Sequence, residues 1–298
     1  MKAMAATLTD ERFDDPAWIY ERKLDGIRCL ATRSGSGVRL RSRNDLDLNS
    51  RFPEVAEALA EQPVTEFVLD GEVVAFSGSR TSFQRLGERG RRVFFYVFDV
   101  LEAEGRDVRD LPLLERKAVL RRLVRPGGPV RLTPYRRGSG IALYEEACRR
   151  GWEGLIAKRA DSPYVGKRSR DWLKWKCDQA QEMVIGGYTE PKGSRIELGA
   201  LLVGHWKDGR LRYAGKVGTG FGRETLRDLA ARLAPLRRED PPFADAPRLR
   251  SATWVEPRLV AQVGFTEWTR DGRLRHPRFL GLREDKDPGD VVRERPDK

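Results

Sequence analysis

Along the first 177 residues, short stretches of alternating apolar and polar side chains are interleaved with stretches whose apolar residues recur at helical spacing. VRLRSRN, EFVLDGEVVAF, RRVFFYVFDVL, VRLTPYR, EGLIAKR and DWLKWKC are rich in β-branched and aromatic residues and predict strands. WIYERKLDGIRCLATR predicts a strand, a tight turn and a second strand. FPEVAEALAEQ, PLLERKAVLRRLV and IALYEEACRRG predict helices, the second with Pro112 near its start. After Cys177 the texture changes. EMVIGGYTE, GALLVGHWKDGRLRYAGKVGTG and PRLVAQVGFTEWTRDGRLRHPRFLG predict hairpins, with Lys207-Asp208-Gly209 and Arg270-Asp271-Gly272 as turn signals. One helix, in GRETLRDLAARLAPLRRE, interrupts them, and EDPPFADAP is a surface loop. The pattern predicts an α+β chain of two domains. Residues 1–177 would form antiparallel sheets with flanking helices, and residues 178–298 a small β-barrel of the oligonucleotide-binding (OB-fold) type.

Composition narrows the function classes. The chain of 298 residues carries a formal charge of +12 and a pI near 9.9, which favours polyanionic partners. Most of the positive residues are arginines, which suit bidentate phosphate contacts. No stretch approaches the roughly 18 apolar residues of a membrane span, and MKAMAATLTDERF lacks the apolar core of a secretory signal. Cys29, Cys148 and Cys177 are far apart without CxxC spacing, so reduced, buried thiols are expected. His205 and His276 are too few for a histidine-rich metal site or an obvious triad. The glycine-rich KVGTGFG lacks the GK[ST] ending of a phosphate loop and predicts a turn.

The candidate chemistry centres on Lys23, in KLDGIR. A lysine in a half-buried segment is disfavoured unless something compensates its charge, and covalent chemistry on a phosphate would do so. Further along stand Arg43 in RSRND, Asp70-Gly71-Glu72, Phe98-Asp99, Glu153 and Lys158 in EGLIAK, and Lys174 and Lys176 in WLKWK. Strand alternation puts Lys174 and Lys176 on one face with Trp175 on the other, and Asp70 and Glu72 likewise share a face. Paired cations on one face call for an anion and paired carboxylates for a cation. A triphosphate with Mg²⁺ meets both needs.

These segments, in this order and over nearly the whole chain, resemble the motifs of the nucleotidyltransferases that include ATP-dependent DNA ligases and mRNA capping enzymes. RSRDWLKWKC and PRFLGLREDK resemble the DNA-ligase branch, particularly the ligase domain of bacterial end-joining ligases. The resemblance implies an ATP-grasp-like nucleotidyltransferase domain followed by an OB-fold domain. It also implies that Lys23 attacks the α-phosphate of ATP and holds AMP covalently. Glu21 would accept a hydrogen bond from the adenine amino group, between Phe98 on one face of the base and Ile156 on the other. Glu72 and Glu153 would hold Mg²⁺ or Mn²⁺, Glu72 alternatively binding the ribose. Arg28, Arg43 and Arg168 would bind phosphates, Lys174 and Lys176 would neutralise the α-phosphate, and Arg278, Arg283, Asp285 and Lys286 would help pyrophosphate leave. Leu24 departs from the aromatic that this branch often carries there.

A free lysine is uncharged in only about one molecule in two thousand at neutral pH. Lowering its pKa by about two units requires about 2.7 kcal/mol, for which Lys174, Lys176 and a divalent cation are the expected sources. The implied partners are nicked or broken duplex DNA, a Ku-like end-binding protein and polymerase or nuclease modules. The expected setting is cytoplasmic and nucleoid-associated, for a monomer. An RNA ligase or a capping-type guanylyltransferase is the alternative enzyme, and a non-catalytic DNA-binding module the alternative of another class. The short flanks around the motifs imply either a stand-alone minimal ligase or the ligase part of a longer end-joining protein. Arg195, Arg210, Arg212, Lys216 and Arg223 predict a basic surface suited to the DNA backbone.

Overall fold

The computed structural model describes residues 2–88, 90–177, 179–191, 197–249 and 251–294. The chain divides into two compact units, Met1–Cys177 and Asp178–Glu294. In the first unit the elements run β1 (Ala5–Leu8), β2 (Trp18–Arg22), β3 (Ile27–Ser34), β4 (Gly37–Ser42), α1 (Pro53–Ala60), β5 (Glu66–Ser77), β6 (Arg80–Thr81), β7 (Val93–Ala103) and β8 (Arg106–Asp107). There follow α2 (Leu113–Leu123), β9 (Val130–Leu132), β10 (Tyr135–Arg137), α3 (Gly140–Arg149), β11 (Gly154–Arg159) and β12 (Arg168–Lys176).

These strands form two sheets, one of five strands in the order β1-β12-β11-β2-β10 and one of seven built on β4-β3-β5-β7-β8, with β6 on β5 and β9 on β7. The segment WIYERKLDGIRCLATR is therefore not the hairpin its pattern predicts. β2 pairs with β10 and β11, whereas β3 pairs with β4 and β5, so Lys23 to Gly26 cross from one sheet to the other. Gly26 makes the crossing possible, because a Cβ there would stand 2.2 Å from the Val73 carbonyl oxygen. VRLTPYR is likewise split between the sheets, as β9 beside β7 and β10 beside β2. Pro134, between them, has no N–H to continue a ladder.

Three apolar clusters fix this arrangement. The outer face of the seven-stranded sheet packs Ile27, Leu69, Phe95 and Val97 under Val55 and Leu59 of α1 and Leu120 and Leu123 of α2. The outer face of the five-stranded sheet packs Tyr20, Leu155 and Trp175 under Leu143 and Ala147 of α3. Met4, Leu30, Val68, Phe98, Tyr164 and Trp172 join the two sheets face to face.

The second unit contains β13 (Gln179–Thr189), β14 (Leu201–Lys207), β15 (Arg210–Val217), α4 (Arg223–Leu233), β16 (Arg237–Arg238), β17 (Ala252–Phe265) and β18 (Arg278–Leu282). Its sheet runs β15-β14-β13-β17-β16, with β18 on β17. Asp208 and Gly209, with φ of 51° and 68°, close the β14–β15 hairpin as the sequence predicts. Leu226, Leu229 and Leu233 of α4 enter this unit's core. Arg210, Lys216 and Arg223 are exposed and Arg212 is half-buried, while Arg195 lies outside the described residues. No helix among the described residues is long and apolar enough to cross a membrane.

The expectation of three reduced thiols fails at two of them. Cys148, near the end of α3, and Cys177, just past β12, form a disulfide with Cα atoms 5.2 Å apart. Packing of α3 on the five-stranded sheet brings together residues separated by 29 positions, a proximity that spacing alone does not reveal. Cys29 is free and buried, and burial pushes its thiol pKa upward. In the chain-entropy account, closing a loop of this length contributes about 3–4 kcal/mol. Without reductant the protein should melt several degrees higher than with dithiothreitol, and Cys177→Ser should abolish the difference. Identical melting curves for the untreated and reduced wild type would show that the bridge adds no stability.

Candidate active site at the seam between two sheets

The inner faces of the two sheets collect the motif residues. Across the five-stranded sheet, Ile156 of β11 is in register with Glu21 of β2 and Lys174 of β12, and Gly154 is in register with Lys176. Across the other sheet, Arg28 of β3 is opposite Glu72 of β5, which is opposite Tyr96 of β7. Lys174 and Lys176 are half-buried on one face, while Trp175 is buried on the other, as alternation predicts.

Lys23 occupies the crossing between the sheets. Its N–H donates to the Gly154 carbonyl at 2.9 Å. Gly154 has φ +143°, and a Cβ there would stand 1.8 Å from the Trp175 carbonyl oxygen, so only glycine lets β11 approach β12 this closely. The Lys23 ammonium lies 2.5 Å from Glu153 Oε1. Burial opposes its charge, but Glu153, with smaller contributions from Asp25 and Glu72, raises its pKa above the ordinary lysine value. This direction is opposite to the one expected from neighbouring cations, because the charges acting on Lys23 are those of carboxylates. Asp25 is held in turn by Thr81 Oγ1, which accepts from its N–H at 3.1 Å, and by the Phe83 N–H, which donates to its carboxylate at 3.2 Å.

Glu153 Oε2 is buried without a hydrogen-bond partner. With Glu72, which also acts electrostatically on Lys23, it supplies the oxygen donors that a hard cation takes. The described residues contain no group of three or more acidic, histidine or cysteine side chains placed to hold a metal ion by themselves. The pair therefore fits Mg²⁺, whose remaining ligands are ordinarily water and substrate phosphates, and does not make an all-protein cage.

On the other side of the crossing, Glu21 is almost fully buried between two lysines. Lys117 of α2 pairs with its Oε1, and Lys158 of β11 lies 2.7 Å from its Oε2. Burial alone would raise the pKa of this carboxyl, but the two lysines hold it below the usual carboxylate value. Burial, with Lys117 nearby, brings Lys158 down to about 8 despite Glu21. The Lys158 ammonium stands 4.3 Å from the centre of the Phe98 ring and 3.9 Å from that of Trp172. The Arg28 guanidinium lies 4.5 Å from the Phe98 ring centre, so the ring is in contact with two cations. Ile156 is half-buried between Glu21 and Lys174.

Asp70 is not placed to hold a cation, despite sharing a face with Glu72. It accepts two hydrogen bonds of 2.5 Å from Arg28 and one of 2.7 Å from the Tyr164 hydroxyl, so its oxygens are already engaged. Asp99 is spent in the same way on Arg116, at 2.8 and 2.9 Å. The structure does not bring Arg43 or Arg168 to this cluster by any contact among the described residues. Arg43 is exposed in the turn after β4, and Arg168 donates to the Ala6 carbonyl at 2.5 Å. In the second unit Arg278 is exposed at the start of β18. Arg283 forms a bidentate pair with Asp285 at 2.8 Å, and Lys286 lies 3.1 Å from Glu182.

Sequence reasoning missed Lys117, Arg116 and Tyr164. A signal for the first two exists: Leu113, Arg116 or Lys117, and Leu120 fall on one stripe of α2, where apolar residues would ordinarily stand. Tyr164 lies in a loop and carries no such signal.

Two mainly antiparallel sheets, each with one parallel pair (β1 with β12, β7 with β9), and a lysine at their crossing that faces carboxylates on one side and cations on the other define a nucleotidyltransferase-type fold. The description "ATP dependent DNA ligase domain" matches residues 1–176, and "ATP dependent DNA ligase C terminal region" matches residues 194–286. The chain belongs to the family of ATP-dependent DNA ligases, and its second unit is the OB-fold domain of that family. It is 42% identical over 293 residues to the multifunctional non-homologous end joining protein LigD of Pseudomonas aeruginosa, covering 94% of this chain and 35% of that protein. The counterpart from Mycobacterium tuberculosis is 40% identical over 291 residues, covering 93% of this chain and 37% of that protein. The chain thus spans little more than a third of these relatives. Among solved structures, a mycobacterial DNA ligase D complexed with ATP and MES matches at 36% identity and a TM-score of 0.76, covering 99% of this chain and 98% of that one. The ligase domain of M. tuberculosis LigD matches at 37% identity and a TM-score of 0.53, with the same coverage.

Asp70→Ala would leave Arg28 and Tyr164 without their shared acceptor in a nearly dry seam. The expected destabilisation in urea is about 3–5 kcal/mol. Removing the exposed partner Asp161 of Arg159 should leave stability essentially unchanged, because solvent screens that pair. Equal effects for the two substitutions would contradict a structural role for Asp70.

Proposed function

We propose that this chain seals nicks or breaks in duplex DNA by three successive nucleotidyl transfers, and that Lys23 is the nucleophile of the first. Its amine forms a P–N bond with the α-phosphorus of ATP, and pyrophosphate leaves. The 5′-phosphate of the DNA then takes the AMP and frees the amine. Finally, the 3′-hydroxyl attacks the activated phosphate, a phosphodiester forms and AMP leaves. The observation that carries the proposal is the Lys23–Glu153 pair at the sheet crossing, beside Glu72, in a chain of the DNA-ligase family.

The other roles are those that the family resemblance implies. Glu21 receives the adenine amino group, Phe98 and Ile156 flank the base, and Lys174 and Lys176 neutralise the α-phosphate. Arg28, Arg43 and Arg168 contact phosphates, and Glu72 and Glu153 hold Mg²⁺ or Mn²⁺. The metal, when bound, supplies positive charge that stabilises phosphate oxygens and favours an uncharged Lys23. Arg278, Arg283, Asp285 and Lys286 promote the departure of pyrophosphate in the first step. The ligase C-terminal region over residues 194–286 favours this reading over an RNA ligase or a capping guanylyltransferase. The retained charges of Lys23, Glu72, Glu153, Lys174 and Lys176 favour it over a non-catalytic module. The relatives' names support a setting in end joining. In that setting the partners would be a Ku-like end-binding protein and polymerase or nuclease modules, at the nucleoid.

Incubation with α-labelled ATP and Mg²⁺ should leave label on the wild-type chain and none on Lys23→Ala. Label on the variant would disprove the assignment of the nucleophile. Because the carboxylates raise the Lys23 pKa, the protonated form dominates at neutral pH and must lose a proton to react. The single-turnover labelling rate should therefore rise with pH, by up to about tenfold from pH 7 to 8. A rate that falls over this range would contradict the ammonium resting state.

Lys286→Ala should lose most self-adenylation yet still seal a nick that already carries AMP. The reverse pattern in a gel assay with pre-adenylated DNA would show that its assigned role is wrong.

A further inference from the structure

The mechanism above leaves the buried cation Lys117 unused. Lys117 is 3% exposed, on a helix whose other buried charge, Arg116, is locked to Asp99. From α2 it reaches two separate parts of the base-binding side. Its ammonium pairs with Glu21 on β2 and donates to the Phe98 carbonyl on β7 at 2.9 Å. Lys158 neutralises the other Glu21 oxygen, but from the side on which its ammonium also contacts the Phe98 and Trp172 rings. A base stacking on Phe98 would compete with Lys158 for that ring. Lys117 holds Phe98 through the backbone, away from the stacking face.

We propose that Lys117 is a positioning residue that sets nucleobase specificity, by fixing Glu21 as an ionised hydrogen-bond acceptor and tying it to the strand that carries Phe98. An ionised carboxylate accepts from an amino group and repels a carbonyl oxygen. A protonated one could donate to a carbonyl and would lose that distinction. A buried carboxyl stays ionised only if cations and hydrogen bonds offset its desolvation. The direction of the Glu21 shift agrees with this arrangement. Lys117 is therefore needed for a base with a 6-amino group to be preferred over one without it. The inference rests on the reading of Glu21 and Phe98 as the base contacts.

The test compares ATP with purine riboside triphosphate, which lacks the 6-amino group, in single-turnover labelling of the full chain. Wild type should prefer ATP in apparent affinity by about tenfold or more, the size of a hydrogen bond to a charged group. Lys117→Met should lose most of that preference through weaker use of ATP, with little change for the analogue. Lys117→Arg, which keeps the charge, should restore it. Should Lys117→Met fail to fold, Lys117→Gln, neutral but still a donor to the Phe98 carbonyl, replaces it in the comparison. An equal loss for both nucleotides, with the preference kept, would make Lys117 merely structural and overturn the proposal. A wild type indifferent to the amino group would overturn the Glu21 reading itself, and the present inference with it.

Discussion

Charges buried between two sheets must be paired, and this constraint organises the first unit. Removing one partner of a buried pair typically costs about 3–5 kcal/mol, because the other charge is then left without compensation. Four sets of such pairs lie along the seam: Arg28 with Asp70, Arg116 with Asp99, Glu21 with Lys117 and Lys158, and Lys23 with Glu153. Each joins different segments of the chain, and Arg28 and Lys158 also lie against the Phe98 and Trp172 rings of the apolar cluster. Helix α2 is held by two of these sets at once. Arg116 also donates to the Leu111 and Ser162 carbonyls, at 2.5 and 2.9 Å, so its guanidinium is well satisfied.

The same pairing has a chemical consequence. Lys23, Arg28, Lys117 and Lys158, the cations at the centre of the proposed site, each have a carboxylate partner. Lys23 rests as an ammonium against Glu153, and the Phe98 ring is in contact with Arg28 and Lys158. On the proposed reading, a triphosphate would have to exchange these partners, and a metal ion held by Glu153 would compete with Lys23 for that carboxylate and so favour the uncharged amine.

Local features were legible in the sequence and long-range ones were not. The alternation of Lys174, Trp175 and Lys176, the three helices of the first unit and the Asp208-Gly209 turn follow from neighbours within a few positions. The family resemblance rests on motifs of the same local kind. Sheet membership is different, because a strand pairs with whichever partner offers the better ladder. WIYER and IRCLATR look like the arms of one hairpin, but β11 and β5 claim them for separate sheets. The Cys148–Cys177 bridge and the grip of Lys117 on Glu21 likewise depend on how α3 and α2 dock. The raised pKa of Lys23 escaped for the same reason, since it depends on Glu153 lying 130 positions away rather than on nearby lysines.

Arg28 shows how a motif residue can serve the fold and the chemistry together. Its Nε and Nη2 form a bidentate pair with Asp70, Nη2 also donates to the Met4 carbonyl, and the guanidinium lies over Phe98, 4.5 Å from the ring centre. Lysine could reproduce none of this geometry, having a single point charge and no plane to stack. The guanidinium is thereby held in a fixed orientation, with Nη1 making no hydrogen bond among the described residues. A phosphate that approached Nη1 would find its donor already oriented, and little conformational entropy would be lost in the contact. The seam that keeps the two sheets together is thus also what prepares one of its cations for an anion.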